Sequence, residues 1–271
     1  MFIPLYDDNS LRNVRFQYVT VTIIAINVVV WLITGTPAIM DEVGSRAASF
    51  SYGYIPAVAN GLKMLPPDLV HLPVPATYVT YSFLHGSFMH LAGNMLFIWV
   101  FGDNVEDSMG HLRFAFFYLV SAAAAAWTHG FFAPDSEGPL IGASGAAAGI
   151  IGAYILLHPR IKVWVLAFGR IPLKIPAVFV LGAWILFQVF MLATDTTGNI
   201  SWAAHVGGFI AGMVMILFLR KPGVGLFDRD MEVIIPDPTS EVPDDAHVSE
   251  IKKTSVPEAG RKTSTKWGRQ G

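Results

Sequence analysis

The sequence contains no cysteine among its 271 residues. This absence excludes disulfide bonds, thiolate metal ligands and a cysteine nucleophile, and it leaves the redox compartment open. Charge is also scarce: 14% of the residues are Asp, Glu, Lys or Arg, against about 25% in ordinary soluble domains. The formal net charge of −2 gives no indication of a nucleic-acid partner. Because 53% of the residues are hydrophobic, the composition predicts a membrane protein embedded in a lipid bilayer.

Six apolar stretches are candidates for membrane spans, since about 20 apolar residues cross a bilayer. They cover residues 16–40, 81–102, 114–133, 144–157, 175–194 and 202–219. The first stretch is longer than the apolar core of a cleaved signal peptide, so we expect a retained anchor. The fourth stretch is too short to cross the bilayer alone. The non-helical chain before it must therefore supply the remaining depth, shielded from lipid by protein.

The lysines and arginines predict the orientation of these spans. Nine of them lie near the membrane on the side that holds both termini, and two, Arg46 and Lys63, lie on the opposite side. Positive residues are retained in the cytoplasm, so we expect both termini there, in a bacterial inner membrane. The nine are Arg12, Arg15, Arg113, Arg160, Lys162, Arg170, Lys174, Arg220 and Lys221.

The predicted organisation has three parts. Residues 1–15 form a cytoplasmic segment, residues 16–221 an all-α bundle of six transmembrane helices, and residues 222–271 a polar cytoplasmic tail with the composition of disordered chain. A long interfacial loop of about residues 36–80 joins the first two spans. Six prolines interrupt this loop, so we expect it to be structured but not helical.

Ser144 lies in the small-residue turn Gly142–Gly145, at the start of the fourth span. A serine hydroxyl is a poor nucleophile unless a nearby base takes its proton. His205 is a candidate base in the first turn of the sixth span, where Gly208 and Gly212 permit close approach of another helix. The pattern predicts that the fourth and sixth helices bring Ser144 and His205 together. Taken alone, the turn is more typical of a helix-packing patch than of a catalytic site.

His90 and Asn94 are spaced i, i+4 and share one face of the second span. Polar groups at that depth are costly and usually face the interior of the bundle. Together with the amide of Ser144, they are candidates to donate hydrogen bonds to an oxyanion; the alternative is that each is satisfied against another helix. Asp195, the one carboxylate between Ser144 and His205, falls in an outer loop, so we expect a dyad.

A zinc site is the competing interpretation of the histidines, because His85, His90 and His205 are expected near one depth. Metalloprotease sites use a His-Glu-x-x-His motif or a nearby carboxylate. The sequence has neither at these positions. We therefore predict no metal and no cofactor.

Four motifs follow one another along the chain: His85-Gly-Ser-Phe-Met-His90-Leu-Ala-Gly-Asn94-Met-Leu-Phe, Phe101-Gly-Asp-Asn-Val-Glu106-Asp, Gly142-Ala-Ser-Gly and Ala204-His-Val-Gly-Gly. Together they resemble the rhomboid family of intramembrane serine proteases, over about residues 15–220. The resemblance implies the six-helix rhomboid fold. It also implies Ser144 as nucleophile, His205 as general base and His90 with Asn94 as oxyanion donors, acting on single-pass membrane proteins near the outer face.

The chain departs from the family pattern at two places. Many members carry a Trp-Arg pair before the second helix, where this chain has Ala76-Thr77. Some members place a tyrosine against the base, where this chain has Ala148. Both departures concern loop anchoring and ring packing more than the chemistry.

The sequence therefore predicts a multi-pass serine endopeptidase that cleaves single-pass transmembrane proteins. The main alternative is a catalytically silent rhomboid-like protein that binds membrane clients, and the intact Ser144 and His205 argue against it. A transporter would show internally repeated halves, and we find no such repeat. The sequence predicts neither the substrate nor the oligomeric state.

Overall fold

Helices dominate the computed structural model, which describes residues 2–167, 169–195 and 201–227. The α-helices are α1 (Tyr18–Thr34), α2 (Glu42–Tyr52), α3 (Pro56–Ala59), α4 (Val74–Thr80), α5 (Phe88–Met109), α6 (His111–Phe132), α7 (Ser144–Leu157), α8 (Ala177–Thr194) and α9 (Trp202–Leu219). Two short 3-10 helices cover Pro67–Leu69 and Tyr81–Phe83. The strands are β1 (Phe2–Asp7), β2 (Lys162–Ala167) and β3 (Ile171–Pro176). Most of the predicted tail, from residue 228 onward, lies outside the described residues.

Three helices, α6, α8 and α9, are long and apolar enough to span a membrane. A fourth span is added if Val74–Phe83 is counted together with α5, to which it is bent by 88°. The apolar helices α1 and α7 are shorter. Within the described residues, the chain is thus a mostly helical membrane protein with three or four helices of full spanning length. Helices α7 and α9 begin and end at the predicted residues.

Helix α7 lies at the centre of the bundle. All of its residues from Gly145 to Tyr154 are buried, and so is Leu157. Glycine and alanine make up most of its first half, so the neighbouring helices α5, α6 and α9 can pack against its backbone. This central position keeps the residue at its first turn, Ser144, away from lipid.

The prediction of an all-α protein is wrong, because a three-stranded antiparallel sheet lies outside the helices. Strand β1 pairs with β2, and β2 pairs with β3. The inward residues Val163 and Val165 alternate with more exposed neighbours along β2, which is the two-residue period of a half-buried strand. The N-terminal segment thereby pairs with the connection between α7 and α8 instead of remaining a separate polar extension.

Asp7, at the end of β1, ties this sheet to two helices. Its carboxylate accepts hydrogen bonds from the Tyr154 hydroxyl at 2.5 Å and from Asn104 Nδ2 at 3.0 Å. Burial raises the pKa of Asp7, because a carboxylate loses water contacts when it is enclosed. The two donors offset part of that cost.

The prediction that residues 36–80 contain no helix is also wrong. Helix α2 occupies eleven of them, and the Asp41 side chain caps it by accepting from the Gly44 amide at 2.8 Å. The prolines do not exclude helices here because those that lie within a helix occupy its first or second position, as Pro56 and Pro75 do in α3 and α4. A proline lacks only an N–H that has no intrahelical partner at those positions.

Helix α5 extends seven residues past the predicted end at Gly102, although this extension carries three carboxylates. The reason is that the carboxylates find partners inside the protein. Glu106 is fully buried and accepts from the amides of Val19 and Thr20 at 3.0 and 2.8 Å, and from the Thr20 hydroxyl at 2.7 Å. It therefore acts as the N-terminal cap of α1 from another helix. The Asp107 carboxylate likewise accepts hydrogen bonds from backbone amides, those of Asn13 and Val14 in the segment that precedes α1.

We expect Glu106→Ala to destabilise the bundle by about 3 kcal/mol or more, because three donors at the start of α1, two of them on buried Thr20, lose their acceptor. Thermal unfolding in detergent micelles measures this loss. Glu137→Ala is the control, since Glu137 forms an exposed ion pair with Lys63 and such pairs contribute about 0–1 kcal/mol. Equal melting temperatures for the two variants would show that Glu106 does not cap α1.

Candidate active site

Ser144 and His205 meet where α7 and α9 begin. Ser144 is the first residue of α7, and His205 lies in the first turn of α9. The Ser144 Oγ is 2.9 Å from His205 Nε2, and both residues are half-buried. The structure therefore brings together two residues that are 61 positions apart, with the hydroxyl within hydrogen-bonding distance of a ring nitrogen.

Contacts between the backbones of α7 and α9 make this meeting possible. A Cβ added to Gly208 would lie 2.0 Å from the Gly145 carbonyl oxygen, and a Cβ added to Gly212 would lie 2.0 Å from that of Gly149. Such contacts exclude any side chain larger than hydrogen. The Gly-x-x-x-Gly spacing predicts this close approach, and the two helices place Ser144 and His205 at the same end of their interface.

We expect Gly212→Ala to force α7 and α9 apart and to lower stability by about 1–3 kcal/mol, the usual cost of overpacking a core. Thermal unfolding measures the effect. Gly182→Ala on α8 is the matched control, because nothing lies within 4 Å of a Cβ built there. If Gly212→Ala melts at the same temperature as Gly182→Ala, the backbone contact between α7 and α9 is not tight.

The turn before Ser144 packs against His90 and Asn94. Gly142 has φ of +119°, and a Cβ added there would lie 2.6 Å from His90 Nε2 and 3.5 Å from Asn94 Nδ2. Both the backbone conformation and the space therefore require glycine. The Gly142 amide donates to the Tyr81 carbonyl oxygen at 3.0 Å, which holds the turn in place. The amide of Ser144 lies in the first turn of α7, where amides have no intrahelical partner.

His85 holds part of this arrangement, a role that the sequence did not indicate. Its Nε2 lies 2.9 Å from Asn94 Nδ2 and 3.4 Å from the Ala143 amide nitrogen. Since an amide NH₂ can only donate, Nε2 accepts, and His85 orients both the Asn94 side chain and the turn. A second hydrogen on Asn94 Nδ2 remains for a ligand. The sequence could have indicated this role of His85 only through the general rule that a buried polar side chain such as Asn94 needs a hydrogen-bond partner.

The histidines are not arranged as a metal site. His205 has a partner at each ring nitrogen, and His85 Nε2 is occupied by Asn94. Across residues 2–167, 169–195 and 201–227, no group of three or more His, Asp or Glu side chains is placed to hold a metal ion. The residues present favour acid–base chemistry over metal binding.

Helix α8 supplies two side chains around the His205 ring, and the sequence analysis missed both. Gln188 Oε1 lies 2.7 Å from Nδ1, and the Trp184 ring lies 5.9 Å from the imidazole, centroid to centroid. Trp202 of α9 approaches edge-on at 6.3 Å. These contacts surround the candidate base, His205, in a chain where Ala148 stands at the position of the family tyrosine. The signal for Gln188 was a single polar residue in the middle of an apolar helix.

A second serine–histidine pair lies nearby. Ser201 Oγ is 2.7 Å from His129 Nδ1, and it also accepts from the Ala204 amide at 3.3 Å as the N-cap of α9. The Ser201 hydroxyl therefore already serves as the N-cap of α9. His90 and Asn94 pack beside the turn that leads to Ser144, so Ser144 is the better candidate nucleophile.

Comparison with known proteins identifies the family that carries these motifs. The model of the rhomboid domain matches residues 75–222, which is more than half of the chain. The chain belongs to the rhomboid family. The matched region contains all four residues of the candidate site and ends just after α9.

Several curated proteins resemble this rhomboid. Rhomboid protein 1, mitochondrial, of Saccharomyces cerevisiae is 31% identical over 52% of this chain and 40% of its own length. RHOMBOID-like protein 12, mitochondrial, of Arabidopsis thaliana is 30% identical over 54% of this chain and 46% of its own length. Rhomboid protease GluP of Bacillus subtilis is 31% identical over 54% of this chain and 26% of its own length. The chain spans less than half the length of each, and the family includes proteases.

The relatives correct one prediction. Two of them are named as mitochondrial proteins of eukaryotes, so the expectation of a bacterial inner membrane is wrong. No residue in the sequence indicated a bacterial membrane. The distribution of lysine and arginine orients a chain across a membrane but carries no information on which membrane it is.

Proposed function

We propose that this rhomboid is a six-span intramembrane serine endopeptidase that cleaves single-pass membrane proteins in or near the outer part of the bilayer. The observation that carries the proposal is the distance of 2.9 Å between Ser144 Oγ and His205 Nε2. A serine beside a base in a partly enclosed site is the arrangement that nucleophilic catalysis needs. The relative named as a protease, GluP, supports the same activity, and the mitochondrial relatives support an organellar membrane.

The chemistry begins with attack of Ser144 Oγ on the carbonyl carbon of the scissile peptide bond, while His205 Nε2 takes the hydroxyl proton. The carbonyl oxygen becomes an oxyanion, for which His90, Asn94 and the Ser144 amide are the donors. The C–N bond then breaks, and His205 returns the proton to the leaving amine. Water attacks the remaining acyl-enzyme, with His205 as base again, and Ser144 is regenerated. No step requires a cofactor.

The six-span arrangement is part of the proposal. Helices α1 and α7 are shorter than a full crossing, but α7 is preceded by chain that packs inside the protein. The approach to α7 is shielded in this way, since Gly142 and Ala143 are buried. Irregular backbone at membrane depth is tolerated where protein covers it. Such a non-helical approach to α7 would open the site toward the outer face.

The experiment is cleavage by the purified full chain, reconstituted in liposomes with a panel of labelled single-pass membrane proteins. We expect at least one substrate to be cut by the wild type and none by Ser144→Ala. Ser201→Ala is the control, because it removes the other serine that contacts a histidine, and it should still cut. Substrates that co-purify with the protein but remain intact for both wild type and Ser144→Ala would instead support a catalytically silent client-binding protein.

A further inference from the structure

Gln188 is a buried amide on a helix that is otherwise apolar through its middle. Helix α8 exposes most of its surface, and Gln188 is 4% exposed. Its Oε1 lies 2.7 Å from His205 Nδ1, on the opposite side of the imidazole from Ser144. A buried amide in a membrane helix is costly unless it is hydrogen-bonded. The contact with His205 supplies the hydrogen bond that this buried amide oxygen needs.

The two contacts of His205 determine which nitrogen carries the proton. Nε2 can take a proton from the Ser144 hydroxyl only if it is unprotonated. The neutral ring then carries its hydrogen on Nδ1, which needs an acceptor, and Oε1 of Gln188 is in that place. If the NH₂ group of Gln188 faced Nδ1 instead, the ring would have to carry its proton on Nε2. In that tautomer His205 could not serve as the base.

We propose that Gln188 is a positioning residue that holds His205 in the tautomer required for proton transfer from Ser144. This inference rests on the proposed function. Gln188 would occupy the place that a buried carboxylate holds in serine–histidine–aspartate sites, while leaving the site without a formal charge. Asp195 is not available for that role, since its Oδ2 accepts from the Trp202 indole nitrogen at 2.6 Å.

The test measures how fast a fluorescent alkyl fluorophosphonate labels the full chain in detergent, as a function of pH. In this reaction Ser144 Oγ forms a bond to phosphorus, fluoride leaves, and the hydroxyl proton goes to His205. No natural substrate is needed. Gln188→Met removes the acceptor at nearly constant volume, and Gln188→Glu restores an acceptor that is charged. Val189→Met, at an exposed position of the same helix, is the matched control.

We expect Gln188→Met to label about ten- to a hundredfold more slowly than the wild type, because the ring loses the hydrogen bond that fixes its tautomer. Val189→Met should label at the wild-type rate. Gln188→Glu should recover labelling, with the acid limb of its pH profile moved to higher pH. A carboxylate at Nδ1 stabilises the imidazolium, so the base stays protonated up to a higher pH. The titratable side chains near the site are His90 beside the Gly142 turn, His129 on Ser201 and Asp195 on Trp202, and all three are unchanged in every variant.

The outcomes separate the inference from the proposed function. Wild-type protein that is not labelled, or is labelled equally in Ser144→Ala, would overturn the proposed function. Labelling that depends on Ser144 but is as fast in Gln188→Met as in the wild type, with the same pH profile, would overturn the role of Gln188 alone. Slow labelling in both Gln188 variants with an unmoved acid limb would also overturn it, since that result indicates a packing role.

Discussion

His205→Ala is expected to abolish cleavage as completely as Ser144→Ala does, with a loss of about 10³-fold or more for each. The hydroxyl of Ser144 is 2.9 Å from the ring nitrogen of His205, so under the proposed function neither group works without the other. Residues that act as one nucleophilic unit show strongly non-additive losses. The double variant should therefore retain the same residual rate as either single variant.

The measurement is the cleavage rate of the three variants and the wild type in liposomes, at equal amounts of folded protein. Thermal unfolding verifies the folding, because both side chains lie near the buried interface of α7 and α9. A double variant that is far slower than either single variant would show that Ser144 and His205 act independently. The dyad would then be the wrong assignment.

Asn94→Ala is expected to lower turnover by about 10²- to 10³-fold while leaving substrate binding nearly unchanged. An oxyanion donor acts mainly as negative charge develops, so its loss appears in kcat and not in KM. The structure places Asn94 Nδ2 beside Gly142 and leaves it one hydrogen after the bond to His85. That geometry suits a donor to a ligand oxygen.

The same contact with His85 provides the competing explanation for Asn94. If its work is to tie the start of α5 to His85, the variant should melt at a lower temperature, since such bonds within membranes contribute about 0.6–2 kcal/mol. His85→Ala is the matched variant, because it removes the tie and leaves the Asn94 amide. Asn94→Ala protein that melts lower but cuts at the wild-type rate would remove Asn94 from the oxyanion site.

The sequence predicted the helices around Ser144 and His205 well, because the signals there are local. Glycines at four-residue spacing fix which faces of α7 and α9 touch, and the polar residues at their first turns mark where those helices begin. The end of α5 was missed for the opposite reason. Charged residues in a span usually end it, but Glu106 is stabilised by the N-terminus of α1, which is distant in sequence.

Partners outside the residue's own helix also explain the other residues that sequence reasoning missed. Gln188 meets His205 on a different helix, and His85 precedes the helix that carries Asn94, so helical spacing links neither pair. Strand β1 is a similar case, since its partner β2 lies more than 150 positions further along the chain. Spacing rules work within one helix or between two that share a packing motif, and they carry no information on such contacts.

The most direct test of the central claim is to map the site of fluorophosphonate attachment by mass spectrometry of the labelled full chain. We expect one adduct, on Ser144, which disappears in His205→Ala. Ser201 is the informative competitor, because it also contacts a histidine. An adduct on Ser201, or an adduct on Ser144 that persists in His205→Ala, would contradict the assignment of Ser144 and His205 as nucleophile and base.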